Sequence, residues 1–332
     1  MDDATTRRTV GPSPHIVAPT TCANIMLWVV AALAPSALWA VVTMGWVAAQ
    51  LLIVCIGVSL GTEYVWNAVA RKPHTLTDGS ALVTGLLLAM SLPPRTPWWV
   101  AAAAALVAIG LAKQLFGGLG HNLFNPALVG RAFVAVSWAG VFASAPNRGW
   151  FQTLPEVTAE GLDAISGATR LAVAAADRAA SGAYGFDLAA QYQPLLWRNL
   201  EGSLGEISAA LLIAGGVLLI VRGIIDWRIP AGYIGTMVLV SWAFGADGLF
   251  HVLAGGVMLG AFFMATDYVS SPMSKTGRLA YGVGCGVFNA VGRFVGALPE
   301  STTFAILFMN GLAPLIDRMT RPRVFGWGRR DA

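Results

Sequence analysis

The sequence predicts an all-α, polytopic membrane protein with about ten transmembrane helices, arranged as two inverted five-helix repeats with an external loop region between them. Composition gives the first reason for this prediction. Hydrophobic residues make up 56% of the 332-residue chain, whereas charged residues make up only 11%. A soluble domain carries about 25% charged residues, so this chain lacks the material for a water-facing surface. We therefore expect lipid to be its solvent.

The spacing of the apolar spans gives the second reason. A bilayer core of about 30 Å needs about 20 apolar residues per helix. Spans of this kind occur near residues 24–44, 46–69, 78–93, 97–115, 126–143, 204–222, 229–245, 247–267, 279–297 and 302–317. A polar interval separates the first five spans from the last five. An odd number of helices per half inverts the second half relative to the first, which is the usual symmetry of membrane proteins with a midplane site.

The distribution of basic residues gives the third reason, because cytoplasmic loops carry an excess of Lys and Arg. With the N-terminus inside, the cytoplasmic side collects Arg7, Arg8, Arg71, Lys72, Lys113, Arg222, Arg228, Lys275, Arg278 and the arginines of the C-terminal tail. The predicted external segment is not basic overall. The predicted parts of the chain are an N-terminal cytoplasmic arm (1–23), a first membrane half (24–143), an external segment (144–203), a second membrane half (204–317) and a basic cytoplasmic tail (318–332).

Several function classes lack support in the composition. The net charge of +4 does not indicate nucleic-acid binding, because the Lys and Arg lie between apolar spans rather than in basic patches. Cys22, Cys55 and Cys285 are isolated, and three cysteines cannot supply the four ligands of an iron–sulfur cluster. His121 has no second ligand at helical spacing, so we predict no metal site. No residue is predicted to be catalytic.

Charged side chains inside the apolar spans are informative, since each costs about 2.5–3.5 kcal/mol at a helix centre on insertion scales. Arg131 lies in the fifth span and Arg293 in the ninth. For both we consider a buried, cofactor-facing role and snorkelling to the interface. Acidic residues near the span ends are expected to be solvated helix ends or caps; they are Glu63, Asp78, Asp247 and Asp267.

The stretch Lys113–Phe133 combines glycines with asparagines inside an otherwise apolar chain. Gly117 and Gly118 permit a break in the backbone, and Asn122 and Asn125 offer hydrogen-bond donors and acceptors. Irregular backbone at membrane depth survives only where it is buried or lines a cavity. Two interpretations stay open, a structural turn and a pocket for a planar, hydrogen-bonding ligand.

The external segment contains the motif Asp163-Ala-Ile-Ser166-Gly167-Ala168-Thr169. Its five fixed positions coincide by chance in on the order of one chain per thousand, which disfavours the plain structural interpretation of an Asx turn before a small-residue loop. The motif resembles the signal by which a flavin transferase esterifies the phosphate of FMN to threonine. Gly167 and Ala168 leave the approach to the Thr169 hydroxyl uncluttered. Asp163 positions either the transferase's metal or the loop itself.

With Thr77-Asp78-Gly79, these two stretches make the chain resemble the RnfD family, the D-type component of the Rnf electron-transport complex. That family is homologous to the B-type component of the sodium-pumping NADH:quinone oxidoreductase, and the resemblance extends over nearly the whole chain. It implies a multi-pass protein of the bacterial inner membrane with cytoplasmic termini and a periplasmic flavin loop. It also implies FMN linked through its phosphate to Thr169, within the attachment motif of Asp163, Ser166, Gly167 and Ala168.

The resemblance further implies a redox subunit without a complete activity of its own. It relays electrons in a ferredoxin- and NAD-linked complex that moves sodium ions or protons. The implied partners are the Rnf components of types A, B, C, E and G, the flavin transferase, and membrane lipid, with no nucleic acid. A second, non-covalent flavin of the riboflavin type is also implied. We place its contacts at Gly117, Gly118, Asn122, Asn125 and Arg131.

Three alternatives remain at this point. A quinone-reducing relative is similar in the core, but the arm before the first span is shorter than such proteins carry, which favours the Rnf branch. A channel or transporter for a small polar solute is the second alternative, since inverted five-helix halves also build such folds. A structural membrane scaffold is the third. A visible flavin spectrum of the purified chain would exclude the last two.

The basic-residue pattern predicts that both termini are cytoplasmic and that residues 144–203 are external. In a parent without native cysteines, Glu160→Cys should react with a membrane-impermeant thiol reagent added to spheroplasts. Lys72→Cys, in a predicted cytoplasmic loop, is the matched control and should react only after the membrane is permeabilised. Labelling of residue 160 from the inside alone would reverse the orientation and the electron route with it.

Overall fold

The computed structural model describes residues 20–73, 75–94, 96–139, 188–199, 202–296 and 301–321, together with residues 171, 174, 177 and 178. These residues form helices and turns, with no strand among them, which confirms the all-α prediction. The attachment motif Asp163–Thr169 lies outside the described residues, as do most of the N-terminal arm and most of the C-terminal tail. The predicted division of the chain into five parts stays a prediction.

Within the described ranges the helices follow the chain in a simple order. They are α1 (Cys22–Met44), α2 (Trp46–Val69), α3 (Ser80–Ser91), α4 (Trp98–Leu106), α5 (Pro126–Ser137), α6 (Leu188–Trp197), α7 (Ala209–Val221), α8 (Arg228–Ala243), α9 (Gly248–Leu253), α10 (Val257–Leu259), α11 (Lys275–Phe294) and α12 (Thr302–Met319). A π-helical segment continues α4 over Val107–Gln114, and another continues α10 over Gly260–Met264. Single 3₁₀ turns, Leu76–Asp78 and Leu204–Glu206, precede α3 and α7.

Capping side chains explain where several of these helices begin. The Asn125 side chain accepts hydrogen bonds from the first turn of α5, and Pro126 occupies the first helical position, where its missing N–H costs nothing. Ser274 caps α11 in the same way. Asp247 caps α9 through a 2.8 Å hydrogen bond from the Phe250 N–H, which confirms its prediction as a cap.

The surface of these helices is apolar. By length and composition, α1 and α2 are able to cross a membrane, with mean hydropathies of 2.2 and 1.6. Shorter apolar helices are α3, Trp98–Gln114, α5 and α7. Large apolar side chains such as Leu38, Val42 and Val69 are exposed on the outside, where water would disfavour them. The apolar helices indicate a membrane protein, and a helix lies in each predicted span. The count of ten crossings and the inverted repeat stay predictions.

One predicted span is not a single helix. Residues 247–267 are predicted as one crossing, but the chain breaks between α9 and α10 at residues 254–256, and this prediction is wrong. Gly255 adopts a φ of +77°, a conformation that side-chain-bearing residues rarely take. Apolarity continues across the break, so hydropathy alone gives no sign of it.

The helices pack closely where one of them presents glycine. On α5, a Cβ added at Gly130 would lie 2.5 Å from the carbonyl oxygen of Ala104 on α4, so only glycine permits this approach. Within the first half α2 also packs on α3 and α4, and within the second half α8 packs on α11. Between the halves α1 packs on α7 and α5 packs on α12. The core is therefore continuous across both halves.

Gly130→Ala should destabilise the protein by about 1–3 kcal/mol, because its methyl group overlaps the α4 backbone. Gly57→Ala in α2 is the matched control. A Cβ there meets no atom within 4 Å, so it should be neutral or slightly stabilising. Thermal unfolding in detergent measures both variants. Equal unfolding midpoints for the two would contradict the close approach of α4 and α5.

Candidate functional site

A buried ion pair joins α2 to the π-helical segment that follows α4. The Lys113 Nζ lies 3.0 Å from both carboxylate oxygens of Glu63, and the two side chains are 3% and 1% exposed. The Thr75 hydroxyl donates to Glu63 Oε1 at 2.6 Å, and the Gln114 amide donates to the same oxygen at 3.1 Å. Burying charges is tolerable only when they are paired and hydrogen-bonded, and here both conditions are met.

Two sequence predictions are wrong at this ion pair. Lys113 is predicted to lie in a cytoplasmic loop, and Glu63 is predicted to be a solvated helix end. Both are buried instead, because each supplies the charge that the other needs. The partners are 50 residues apart in the chain. A local window therefore registers two costly residues and not the pair that they form.

The ion pair extends into the start of α3. The Lys113 Nζ donates to the Ser80 hydroxyl at 2.5 Å, and that hydroxyl and the Ser80 N–H both donate to Asp78 Oδ1. Asp78 thus serves at the start of α3, as predicted for a cap. The network links α2, α3 and the π-helical segment through side chains alone, so these three elements are held in one arrangement.

An inner cavity lies beside this network, between the two halves of the chain. Its volume is about 90 Å³. The polar side chains that line it are Ser80, Thr84, Lys113, Asn122, Asn125, Thr266, Asp267 and Tyr268. Apolar side chains of α1, α3, α7 and the second π-helical segment close its walls, including Phe262 and Phe263. Donors and acceptors from both halves therefore converge on a mostly apolar space, as in small-molecule sites.

The structure brings together only part of the predicted second-flavin contacts. Asn122 and Asn125 line the inner cavity, and the Asn122 amide lies 3.4 Å from a carboxylate oxygen of Asp267. Gly117 and Gly118 are not among its lining residues, although their φ values of +123° and +102° do make the predicted backbone break. Arg131 lies further along α5, in a second polar region.

This second region, the helix break, surrounds residues 254–256 between α9 and α10. Arg293 on α11 donates to the carbonyl oxygens of His251 and Ala254, which terminate α9. A Cβ added at Gly255 would lie 2.7 Å from Arg293 Nη2. One added at Gly256 would lie 3.8 Å from Arg131 Nη1 and 3.9 Å from Glu206 Oε1. Two guanidinium groups and a carboxylate therefore approach the same pair of glycines.

The burial of the two arginines decides between the two interpretations of their position. Arg131 is 6% exposed and Arg293 is 5% exposed, so neither side chain snorkels to an interface. The Arg131 Nη1 donates to the Thr303 hydroxyl at 2.9 Å, which ties α5 to the start of α12. Buried guanidinium groups of this kind are costly unless they serve packing or a ligand.

Sequence reasoning missed a polar stripe on α11. Tyr281, Cys285, Asn289 and Arg293 follow each other at intervals of four residues, and all are buried on one face of the helix. The Asn289 amide donates to the Tyr233 hydroxyl at 2.9 Å and to Thr302 at 3.2 Å. The four-residue spacing of polar side chains in an apolar span is the signal that would have identified it.

Removing one partner of the ion pair should cost more than removing both. Lys113→Met leaves the Glu63 carboxylate buried without its cation, which should destabilise the protein by about 3–5 kcal/mol. Adding Glu63→Gln removes the buried charge and should restore much of that loss. Lys72→Met, at an exposed lysine beyond α2, is the control and should change little. Unfolding midpoints in detergent measure the set, and additive losses in the double variant would contradict the pairing.

The fold and its two polar regions define a helical membrane protein with buried charged sites between two halves. Comparison with known proteins gives the family. Residues 9–326 match the model of the NQR2, RnfD, RnfE family. The chain belongs to that family, and the resemblance predicted from the sequence is confirmed.

Characterised relatives are similar over nearly their whole length. The RnfD-type component of the Na⁺-translocating ferredoxin:NAD⁺ oxidoreductase complex of Acetobacterium woodii is 41% identical, over 96% of this chain and 95% of that protein. Its counterpart in the proton-translocating ferredoxin:NAD⁺ oxidoreductase complex of Clostridium ljungdahlii is 39% identical, over 97% of each. The counterpart in an ion-translocating oxidoreductase complex of Stutzerimonas stutzeri is 39% identical, over 92% and 93%.

Proposed function

We propose that this protein is the D-type component of an Rnf-type, ion-translocating oxidoreductase complex and relays electrons through FMN esterified to Thr169. The observation that carries the proposal is the Asp163–Thr169 motif. It occurs in a chain whose relatives are the corresponding components of ferredoxin:NAD⁺ oxidoreductase complexes. The relatives named above include a sodium-translocating and a proton-translocating complex, so the proposal extends to a coupling cation and not to its identity.

The chemistry of the motif supports a covalent flavin. A transferase can esterify only a hydroxyl on a loop that enters its active site, and Thr169 lies in the predicted external segment. Its hydroxyl oxygen would form a bond to the phosphorus of an activated flavin nucleotide, while the leaving group departs and the hydroxyl proton is released. Linkage through phosphate leaves the isoalloxazine ring free, so the cofactor supplies the redox chemistry and the protein supplies position and electrostatics.

We further propose that ten helices cross the membrane in two inverted five-helix halves, with the flavin-bearing loop in the periplasm. Helix packing supports this arrangement. The first helices of the two halves, α1 and α7, pack on each other, and so do the fifth helices, α5 and α12. The second helix packs on the fourth in each half, α2 on α4 and α8 on α11. Such equivalent pairs are what a two-fold axis in the membrane plane produces.

A second, non-covalent flavin of the riboflavin type is proposed for the inner cavity. Its support is the set of amide, hydroxyl and carboxylate groups that face a space with aromatic and aliphatic walls, among them Asn122, Asn125 and Asp267. The volume of about 90 Å³ is below the roughly 300–1,000 Å³ of typical ligand sites. Binding there therefore requires the lining side chains to move apart.

The proposed partners follow from the same assignment. Electrons that reach a periplasmic flavin have to cross a membrane core of about 30 Å, which is too far for one unassisted step. Carriers in the Rnf components of types A, B, C, E and G would complete the route. A flavin transferase would load Thr169, and lipid would surround the apolar helices.

The decisive variant is Thr169→Val, which is nearly isosteric but has no hydroxyl to esterify. When the wild-type chain is co-produced with a flavin transferase, it should run as a fluorescent band on a denaturing gel, because an ester-linked flavin survives unfolding. Thr169→Val should abolish that band and leave the fold intact, and Thr169→Ser should retain some modification. Thr158→Val, in the same segment, is the matched control and should fluoresce like the wild type.

Two outcomes of that gel would contradict the proposal. A Thr169→Val band of wild-type intensity would move the attachment to another residue. A wild-type chain that never fluoresces, although the transferase modifies a known substrate in the same cells, would remove the covalent flavin altogether.

A further inference from the structure

We propose that the helix break at Gly255 and Gly256 is the seat of the FMN phosphodiester, which Arg131 and Arg293 bind. This inference rests on the proposed FMN at Thr169 and adds the residues that hold it. It concerns a buried region that lies apart from the inner cavity. Three independent observations support it, which are the convergence of the guanidinium groups, the space at the glycines, and the position of Leu171.

The guanidinium groups reach the break from two different helices. Arg293 on α11 lies against Gly255, and Arg131 on α5 lies beside Gly256, at the distances given above. Arginine presents several N–H donors in a planar fork that matches the oxygens of a phosphate. A phosphodiester carries one negative charge. Among the described side chains beside these glycines, two guanidinium groups accompany the single carboxylate of Glu206.

The glycines leave room where a side chain would otherwise stand. A Cβ at Gly256 would meet its nearest atoms, on Arg131 and Glu206, only at ordinary contact distances of 3.8 and 3.9 Å. Its φ of −72° also suits any L-residue. The protein itself would thus tolerate alanine at this position. A ligand held between Arg131 and the backbone would occupy the same space.

Leu171 connects the helix break to the attachment motif. It is buried, and its Cδ2 lies 3.2 Å from the Cβ position of Gly255. Leu171 follows Thr169 by two residues, and two residues of extended chain span at most about 7 Å. The esterified oxygen is therefore tethered within reach of the two arginines. The break also positions the start of α10, so phosphate binding there would fix the flavin relative to the membrane helices.

The sharpest test is Gly256→Ala, because alanine fits the protein but intrudes on a ligand. In the holoprotein, the methyl group should displace the phosphodiester and free the flavin. The constant for quenching of flavin fluorescence by acrylamide should rise severalfold, and the flavin anisotropy should fall. The unfolding midpoint and the yield of esterified Thr169 should stay unchanged. Gly235→Ala in α8, where a Cβ meets nothing within 4 Å, is the matched control.

Arg131→Gln provides a second variant, since it removes charge without adding bulk. It should raise the same quenching constant, while Arg222→Gln, which removes an exposed arginine that stacks on Trp28, should not. Unchanged quenching and anisotropy in both Gly256→Ala and Arg131→Gln, with Thr169 still esterified, would overturn this inference and leave the proposed function standing. Absence of flavin from the wild-type protein would instead overturn the proposed function.

Discussion

Lipid offers no hydrogen bonds to the peptide backbone, and this constraint governs where the chain departs from regular helix. Each irregular stretch among the described residues has to find its partners inside the protein. At the helix break, the guanidinium group of Arg293 satisfies the carbonyl oxygens that end α9. After the first π-helical segment, Asn125 caps α5 and donates to the Met264 carbonyl. The polar residues that line both candidate sites are therefore also the residues that make irregular backbone tolerable in a membrane.

The polar stripe of α11 joins these two regions through the core. Near the helix break, Arg293 is followed one turn away by Asn289, whose amide bonds Tyr233 and Thr302. Towards the inner cavity, the Tyr281 hydroxyl bonds the amide of Asn310, which also reaches the backbone N–H of Asn125. A continuous set of buried polar groups thus extends from one site to the other. Such a set supports a protein with one cofactor region near each end of its helices.

The sequence predicted the class of fold well because apolar length and the low charge content are properties of the chain itself. It also identified Asn122, Asn125 and Arg131 as buried polar residues, since each is costly in a membrane. It failed at Lys113 and Glu63, because their pairing joins distant parts of the chain. It failed again at Gly255, where a positive φ breaks a span that stays apolar throughout. Contacts between distant residues and backbone conformation are the properties that local patterns do not contain.

The central claim is that FMN is esterified to Thr169, and intact-peptide mass spectrometry tests it directly. Trypsin cleavage after Arg148 and Arg170 releases residues 149–170, which contain the whole attachment motif. For protein co-produced with a flavin transferase, this peptide should be heavier by one FMN less one water. Fragmentation should locate the added mass on Thr169. A peptide of unmodified mass, or an FMN located on another residue, would contradict the account.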